Sequence, residues 1–120
     1  MDKVTDLITL QVKIKSRNEI DGLHWATKRD LKKEYALLIR NQMRLNNIRE
    51  IKDPERATLT ILSLRKRLID YDNLVGGCKQ LIDALCEEGF IFDDNTKYLK
   101  YLKVEQVKSN QDATLIKRIV

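Results

Sequence analysis

The chain has 120 residues, of which 42% are hydrophobic and 34% are charged, and its formal net charge is +5 at pH 7. This length and composition predict one soluble globular domain over residues 1–120 and leave no room for a second core. No apolar run reaches the roughly 18 residues of a membrane span, so we expect no membrane-spanning helix. The positive charge favours a polyanionic partner but does not identify one.

The N-terminal half alternates between strand and helix patterns. Alternating apolar and polar side chains predict a half-buried strand over residues 7–14, and a loop follows over residues 16–25. Apolar residues then recur at helical spacing over residues 26–46, which predicts the first main helix. Residues 58–64 are rich in Thr, Leu and Ile and predict a second strand.

The C-terminal half predicts one more helix and two more strands. Residues 72–88 carry apolar side chains at helical spacing, and Gly89 ends the predicted helix. Residues 98–107 and 113–120 predict two closing strands, with residues 109–112 as their turn. These elements together predict an α/β domain of the α+β type, a mixed sheet of about four strands packed with two main helices.

A glycine pair interrupts the pattern of the second helix. Gly76 and Gly77 each lower helix propensity by about 1 kcal/mol relative to alanine. We therefore expect a ligand or a partner helix to approach the backbone closely at this point. Asp72, Lys79 and Asp83 lie on one polar stripe of the same helix.

Basic side chains gather in two places. One group lies along the side of the first helix opposite its apolar side, and the other directly follows the second strand. Each group is either a track for DNA phosphates or an ordinary solvated surface. The candidate DNA contacts are Arg29, Lys33, Arg40 and Arg44 on the helix, and Arg65, Lys66 and Arg67 after the strand.

His24 and Trp25 are the only histidine and tryptophan of the chain, and they lie in the loop before the first helix. An exposed aromatic side chain is able to stack on an unpaired base. We favour the alternative, in which Trp25 packs at the edge of the core and His24 is a surface or capping residue.

The acidic residues of interest flank the second helix. Asp70 and Asp72 stand at its start, and Asp93 and Asp94 follow it. Mg²⁺ prefers oxygen ligands and is usually held by one or two carboxylates together with water and substrate phosphate, so three converging aspartates suffice. The alternative is structural, with Asp72 as a helix N-cap and the Asp93-Asp94 pair as a turn.

The order of these residues resembles the RusA family of Holliday junction resolvases, including versions carried by phages and prophages. The likeness covers residues 70–97 and, beyond them, only the order of strands and helices. The chain departs from the enterobacterial pattern in placing Lys79 farther along the helix from Asp72. The residues that carry the resemblance are Asp70-Tyr71-Asp72-Asn73-Leu74, Lys79, Leu81-Ile82-Asp83-Ala84-Leu85, Gly89 and Asp93-Asp94.

The resemblance implies a magnesium-dependent endonuclease that resolves Holliday junctions by paired symmetric nicks in DNA recombination and repair. It implies a homodimer that binds branched DNA, with Asp70, Asp72 and Asp94 as catalytic metal ligands and Lys79 assisting. Asp93 is the alternative third ligand. Two other interpretations stay open: a noncatalytic nucleic-acid-binding module, and an inactive phage interaction protein with the same fold.

The cysteines and the N-terminal sequence bear on the compartment. Cys78 and Cys86 are too far apart along one helix for a disulfide and lack zinc-site spacing, so we expect two buried apolar side chains. Residues 1–6 lack the pattern of a secretory signal. We therefore expect a reduced, cytoplasmic protein without membrane association.

Overall fold

Four strands and four helices are seen in a computed structural model that describes residues 3–120. The described elements, in chain order, are β1 (Thr5–Leu10), α1 (Arg17–Asp21), α2 (Trp25–Leu45), β2 (Ala57–Arg65), α3 (Tyr71–Gly76), α4 (Lys79–Glu87), β3 (Leu99–Lys108) and β4 (Ala113–Ile119).

The strands form one mixed sheet with the order β1-β4-β2-β3. β4 pairs antiparallel with both β1 and β2, whereas β2 and β3 run parallel. Parallel neighbours need a crossover connection, and α3 with α4 supplies it. The prediction of a mixed four-stranded sheet packed with helices is confirmed.

The core lies between one face of the sheet and the helices. Ile61 pairs with Ile116 on one side and with Val104 on the other, and all three side chains are buried. α2 packs against α4 and, through Tyr35 and Ile39, joins the same core. The residues of β2 that point to the other face are only half-buried, so the helices cover a single face.

The two closing strands are not neighbours, which corrects the prediction that residues 109–112 are a simple turn between them. β2 lies between β3 and β4. The connection crosses the end of β2, where Ser109 N–H donates to Arg65 O at 2.8 Å and Asp112 Oδ1 accepts from Lys66 N–H at 3.0 Å. Sequence alternation finds strands but carries no information about which strand pairs with which.

The predicted helix over residues 72–88 is wrong as a single element, because it breaks at Gly77 and Cys78 into α3 and α4. A Cβ on Gly77 would lie 2.0 Å from the carbonyl oxygen of Lys15, so only glycine lets the two backbones approach this closely. A close approach does occur at Gly77, but it is made by the backbone of the segment after β1 and not by the predicted ligand or partner helix. Gly89 (φ +77°) ends α4 as predicted.

The segment between β1 and α2 also differs from its prediction. β1 ends at Leu10, four residues before the predicted end, and the predicted loop contains α1. Ser16 and Glu19 form a capping box, in which Ser16 Oγ accepts from Glu19 N–H and the Glu19 carboxylate accepts from Ser16 N–H. This box fixes the segment that passes over Gly77.

Arg118 on β4 is fully buried, and its guanidinium connects β4 to β1 and to two loop segments. It donates to Asp6 Oδ2 at 2.9 Å and to the carbonyl oxygens of Phe90 and Arg49 at 2.7 Å each. The charge is therefore both paired and hydrogen-bonded, as a buried ion requires.

Within residues 3–120 we find no helix long and apolar enough to cross a membrane.

Candidate functional site

Asp70 and Asp72 lie where the chain leaves β2 and enters α3. Asp70 is the N-cap residue of α3, although its side chain makes no capping hydrogen bond, and Asp72 lies in the first turn. This corrects the interpretation of Asp72 as the N-cap. Both side chains are exposed, and neither forms an ion pair within residues 3–120. Their carboxylates are therefore free to bind a cation.

Gln106 on β3 fixes the backbone immediately before Asp70. Its amide accepts from Ile69 N–H at 3.1 Å and donates to Ile69 O at 2.6 Å. Two hydrogen bonds to one residue hold the end of the loop in a defined position against the sheet, so Asp70 starts from a rigid base. Sequence analysis missed Gln106, because an alternating strand pattern does not distinguish a positioning amide from a surface one.

Asp93 and Asp94 have different roles in the turn after α4. The Asp93 carboxylate accepts from Asp94 N–H at 2.7 Å and from the Asn95 amide at 3.1 Å, so it holds the turn together. The Asp94 side chain is exposed, and its pKa is raised, first by its hydrogen bond with Asp93 and then by burial and the negative charges of Asp93 and Asp83. A carboxyl in this position gains from a cation that offsets the neighbouring charges.

Cys86 lies beside this acidic turn. Ligand atoms of Cys86, Asp93 and Asp94 fall within 4.8 Å of one another, and this is the one such group of three found within residues 3–120. Burial raises the pKa of the Cys86 thiol to about 12, so the sulfur is protonated at neutral pH. A protonated thiol is a poor partner for Mg²⁺, which prefers oxygen, so the two carboxylates are the suitable donors.

Asp70 and Asp72 do not belong to this group of three. The expected convergence of Asp70, Asp72 and Asp94 at ligand distance is therefore not seen among residues 3–120; Asp70 and Asp72 lie at the start of the α3–α4 crossover, and Asp93 and Asp94 follow it. A shared metal ion requires the carboxylates to move towards one another, because Mg²⁺ binds its oxygen ligands at about 2.0 to 2.1 Å.

Lys79 is the first residue of α4, and its side chain is 74% exposed. Its ammonium nitrogen lies 3.6 Å from Asp83 Oδ2, one turn further along the helix. In this structure Lys79 therefore forms an ion pair within α4. An exposed pair of this kind contributes at most about 0.5 kcal/mol, so the ammonium group is easily redirected to a phosphate.

The basic residues of α2 are exposed, as predicted, but their charges are partly used within the protein. Arg40 forms a bidentate ion pair with Glu88, with nitrogen to oxygen distances of 2.8 and 2.9 Å. Arg29 lies over the Trp25 ring, with its guanidinium carbon 5.1 Å from the ring centroid. Lys33 and Arg44 form no ion pair within the described part of the chain, so they are the freer cations of this helix.

The basic triplet after β2 is not a uniform exposed patch. Lys66 and Arg67 are exposed, whereas Arg65 is only 3% exposed and donates from Nη1 to Ile14 O at 2.6 Å and to Ser63 Oγ at 3.2 Å. Arg65 is therefore buried, unlike the two basic residues that follow it, and its role as a DNA contact stays a prediction. Arg65 continues the alternation of β2, which directs its side chain to the buried face.

Trp25 and His24 divide between the two interpretations of their loop. The Nδ1 atom of His24 accepts from Ala26 N–H and caps α2, as we favoured. Trp25 is 65% exposed, so its predicted packing at the core edge is wrong. The Trp25 indole, in contact with His24 and Arg29 at the surface, is available for stacking.

No protein-family model and no curated protein matches this chain. The likeness to RusA resolvases therefore depends on the motif residues alone. Support for a function has to come from the geometry of those residues.

Proposed function

We propose that this protein is a magnesium-dependent endonuclease of the RusA type that nicks four-way DNA junctions. The observation that carries the proposal is the pair of uncommitted carboxylates, Asp70 and Asp72, presented at the exit of β2 and the start of α3. An N-cap aspartate normally stabilises its helix by about 1 kcal/mol through a side-chain hydrogen bond. Asp70 forgoes that bond, which favours a ligand-binding role.

The donor set suits Mg²⁺. Asp70, Asp72 and Asp94 supply hard oxygen ligands, while the Asp93 carboxylate is already used by the turn. This division supports Asp94 over Asp93 as the third ligand. These residues would hold a Mg²⁺ ion, which would supply polarisation of the phosphoryl oxygen and activation of water for phosphodiester hydrolysis.

The other residues bind and position the DNA. Lys79 is exposed at the start of α4 and is able to exchange Asp83 for a phosphate oxygen of the substrate. Lys33, Arg44, Lys66 and Arg67 are exposed cations suited to backbone phosphates. A homodimer supplies two equivalent sites for symmetric nicks, and the two free cysteines fit a reduced cytoplasmic setting.

The test is cleavage of a labelled four-way junction and a matched linear duplex, with Mg²⁺ and with EDTA. Wild type should nick only the junction, symmetrically, and EDTA should abolish the reaction. Asp72→Asn should lower the rate by at least about 100-fold, because metal stabilisation of the transition state supplies several kcal/mol. Asp53→Asn, which removes an exposed carboxylate between α2 and β2, is the matched control and should cut normally.

Asp94→Asn and Asp93→Asn separate ligand binding from loop structure. Asp94→Asn should abolish cleavage and leave the fold intact, since its side chain is exposed. Asp93→Asn should keep measurable activity, because an asparagine oxygen still accepts from the turn. The reverse order of activities would make Asp93 the ligand.

A noncatalytic DNA-binding module is the second candidate. It is favoured by the separation of Asp70 and Asp72 from the Asp93 and Asp94 cluster. In that case the protein binds junctions tightly without nicking them in Mg²⁺ or Mn²⁺, and Asp72→Asn binds like wild type.

A further inference from the structure

A basic cavity lies beside the exit of β2, and its lining includes Lys66 and Arg67, which the proposed function treats only as exposed cations. Its volume is about 390 Å³, and it is lined by Lys13, Glu19, Arg65, Lys66, Arg67, Ile69 and Asp112. Water occupies about 30 Å³ per molecule in the liquid, so the cavity has room for a phosphate group and several waters.

Arg65 is buried against this cavity without a counter-ion. No carboxylate forms an ion pair with it within residues 3–120. Its Nη1 atom is hydrogen-bonded to Ile14 and Ser63, but its Nε atom is buried and has no hydrogen-bond partner among the described residues. Burying a charge is costly unless it is paired and hydrogen-bonded, so the positive charge of Arg65 is not compensated within the described residues.

The two acidic residues of the cavity are already engaged. Glu19 accepts from Ser16 N–H in the capping box, and its pKa is lowered, first by this hydrogen bond. Asp112 accepts from Lys66 N–H. Both carboxylates therefore accept from backbone donors, while four cationic residues line the cavity. The balance favours an anionic occupant.

We propose that this cavity binds a backbone phosphodiester of the DNA substrate, next to the phosphate that is cleaved. We refer to it as the phosphate notch, lined by Lys13, Arg65, Lys66 and Arg67. A guanidinium is suited to phosphate, because its N–H donors match the geometry of the phosphate oxygens. Ile69 forms part of the wall and is the residue before Asp70, so a phosphate in the notch fixes the strand relative to the acidic site.

This inference rests on the proposed function for the identity of its occupant. Free inorganic phosphate presents the same oxygen atoms, so the experiment must distinguish the two sources. Because Arg65 also supports the fold through Ile14 and Ser63, its substitution alone is a poor test. Lys13 and Arg67 are exposed and line the notch, so they are the positions to change.

The first measurement is junction binding by fluorescence anisotropy in EDTA, over a range of KCl concentrations. The variant Lys13→Ala/Arg67→Ala should bind roughly three- to tenfold more weakly, and its salt slope should fall by about 0.9, because the protein then neutralises one phosphate fewer. The control is Lys52→Ala/Arg56→Ala, which removes the same charge from exposed positions outside the notch. Its slope should match that of wild type.

The second measurement is the NMR signal of the Arg65 Nε–H group in the wild-type protein. It should shift when junction DNA is added, and inorganic phosphate at millimolar concentration should compete. A shift with inorganic phosphate alone, with no change on adding DNA, identifies a site for free phosphate and overturns the proposal. An unchanged signal in both titrations, or an equal slope for the two double variants, overturns it as well.

Failure of the notch is distinguishable from failure of the proposed function. If wild type nicks junctions in Mg²⁺ while the notch variant keeps the full salt slope, the nuclease stands and the notch does not. If wild type nicks nothing while the notch variant shows the smaller salt slope, the notch stands as a DNA-binding element of a noncatalytic protein.

Discussion

Gly77→Ala is the substitution for which the structure makes the sharpest prediction. Gly77 has φ −76° and ψ −11°, which suit alanine, so the change by itself should stabilise the protein by about 0.4 to 1 kcal/mol through the unfolded chain. The added Cβ, however, would lie 2.0 Å from Lys15 O and 3.1 Å from the carbonyl carbon. Backbone atoms cannot rotate away as a flexible side chain does, so α3 must separate from the segment after β1.

Overpacking that shifts the backbone costs about 1 to 3 kcal/mol and occasionally more. A clash this short lies at the upper end, so we expect a net decrease of about 2 to 3 kcal/mol in the free energy of unfolding. Urea denaturation of Gly77→Ala and Gly22→Ala measures it. Gly22 is the control because its added Cβ would meet nothing closer than 4.0 Å. Equal stabilities for the two variants would refute the close approach and the explanation of the helix break.

Three further predictions concern charge and burial. Asp94→Asn should raise the free energy of unfolding at pH 7, because the folded protein raises the pKa of Asp94 and so loses stability as this carboxyl ionises with rising pH. At pH 3, where the carboxyl is protonated, urea titrations should show no difference between the variant and wild type. Arg118→Leu should cost about 3 to 5 kcal/mol by urea denaturation, because Asp6 and two buried carbonyls lose their partner, whereas the exposed Lys117→Leu should cost far less. Cys78 and Cys86 should react slowly with a thiol reagent at pH 8 until urea is added, since burial raises both pKa values to about 12; rapid reaction of the native protein would contradict this.

The elements were readable from the sequence, but their pairing was not. Apolar periodicity located the first main helix within one residue at either end, because its amphipathic pattern is long. The break at Gly77 depends on Lys15, which is distant in sequence, so no local pattern contains it. The same reason applies to β2, which separates the two strands that follow it.

The candidate site was predictable only in part. Asp72 lies in the first turn of a helix, as predicted, whereas Asp70, predicted at a strand end, is the N-cap residue of α3 and follows the end of β2 at Arg65. Arg65 looked like a surface cation because its neighbours are basic, whereas its place in the alternation of β2 makes it buried. Gln106 and Asp93 act through hydrogen bonds to backbone or to adjacent residues, and such roles leave no compositional signal.

The position of β4 sets the order in which the chain is able to fold. Within the described residues, β4 is the only strand that pairs with β1. β1 therefore joins the sheet only after β4, which lies late in this sequence, has been synthesised. The ion pair between Asp6 and Arg118 joins residues 112 positions apart. Such distant pairing costs loop-closure entropy before any contact compensates for it, and mixed folds of this kind reach their native state more slowly than helical bundles. We therefore expect α2 and α4 to pack only partly before β4 is inserted between β1 and β2. Folding of the whole domain becomes cooperative only at that step.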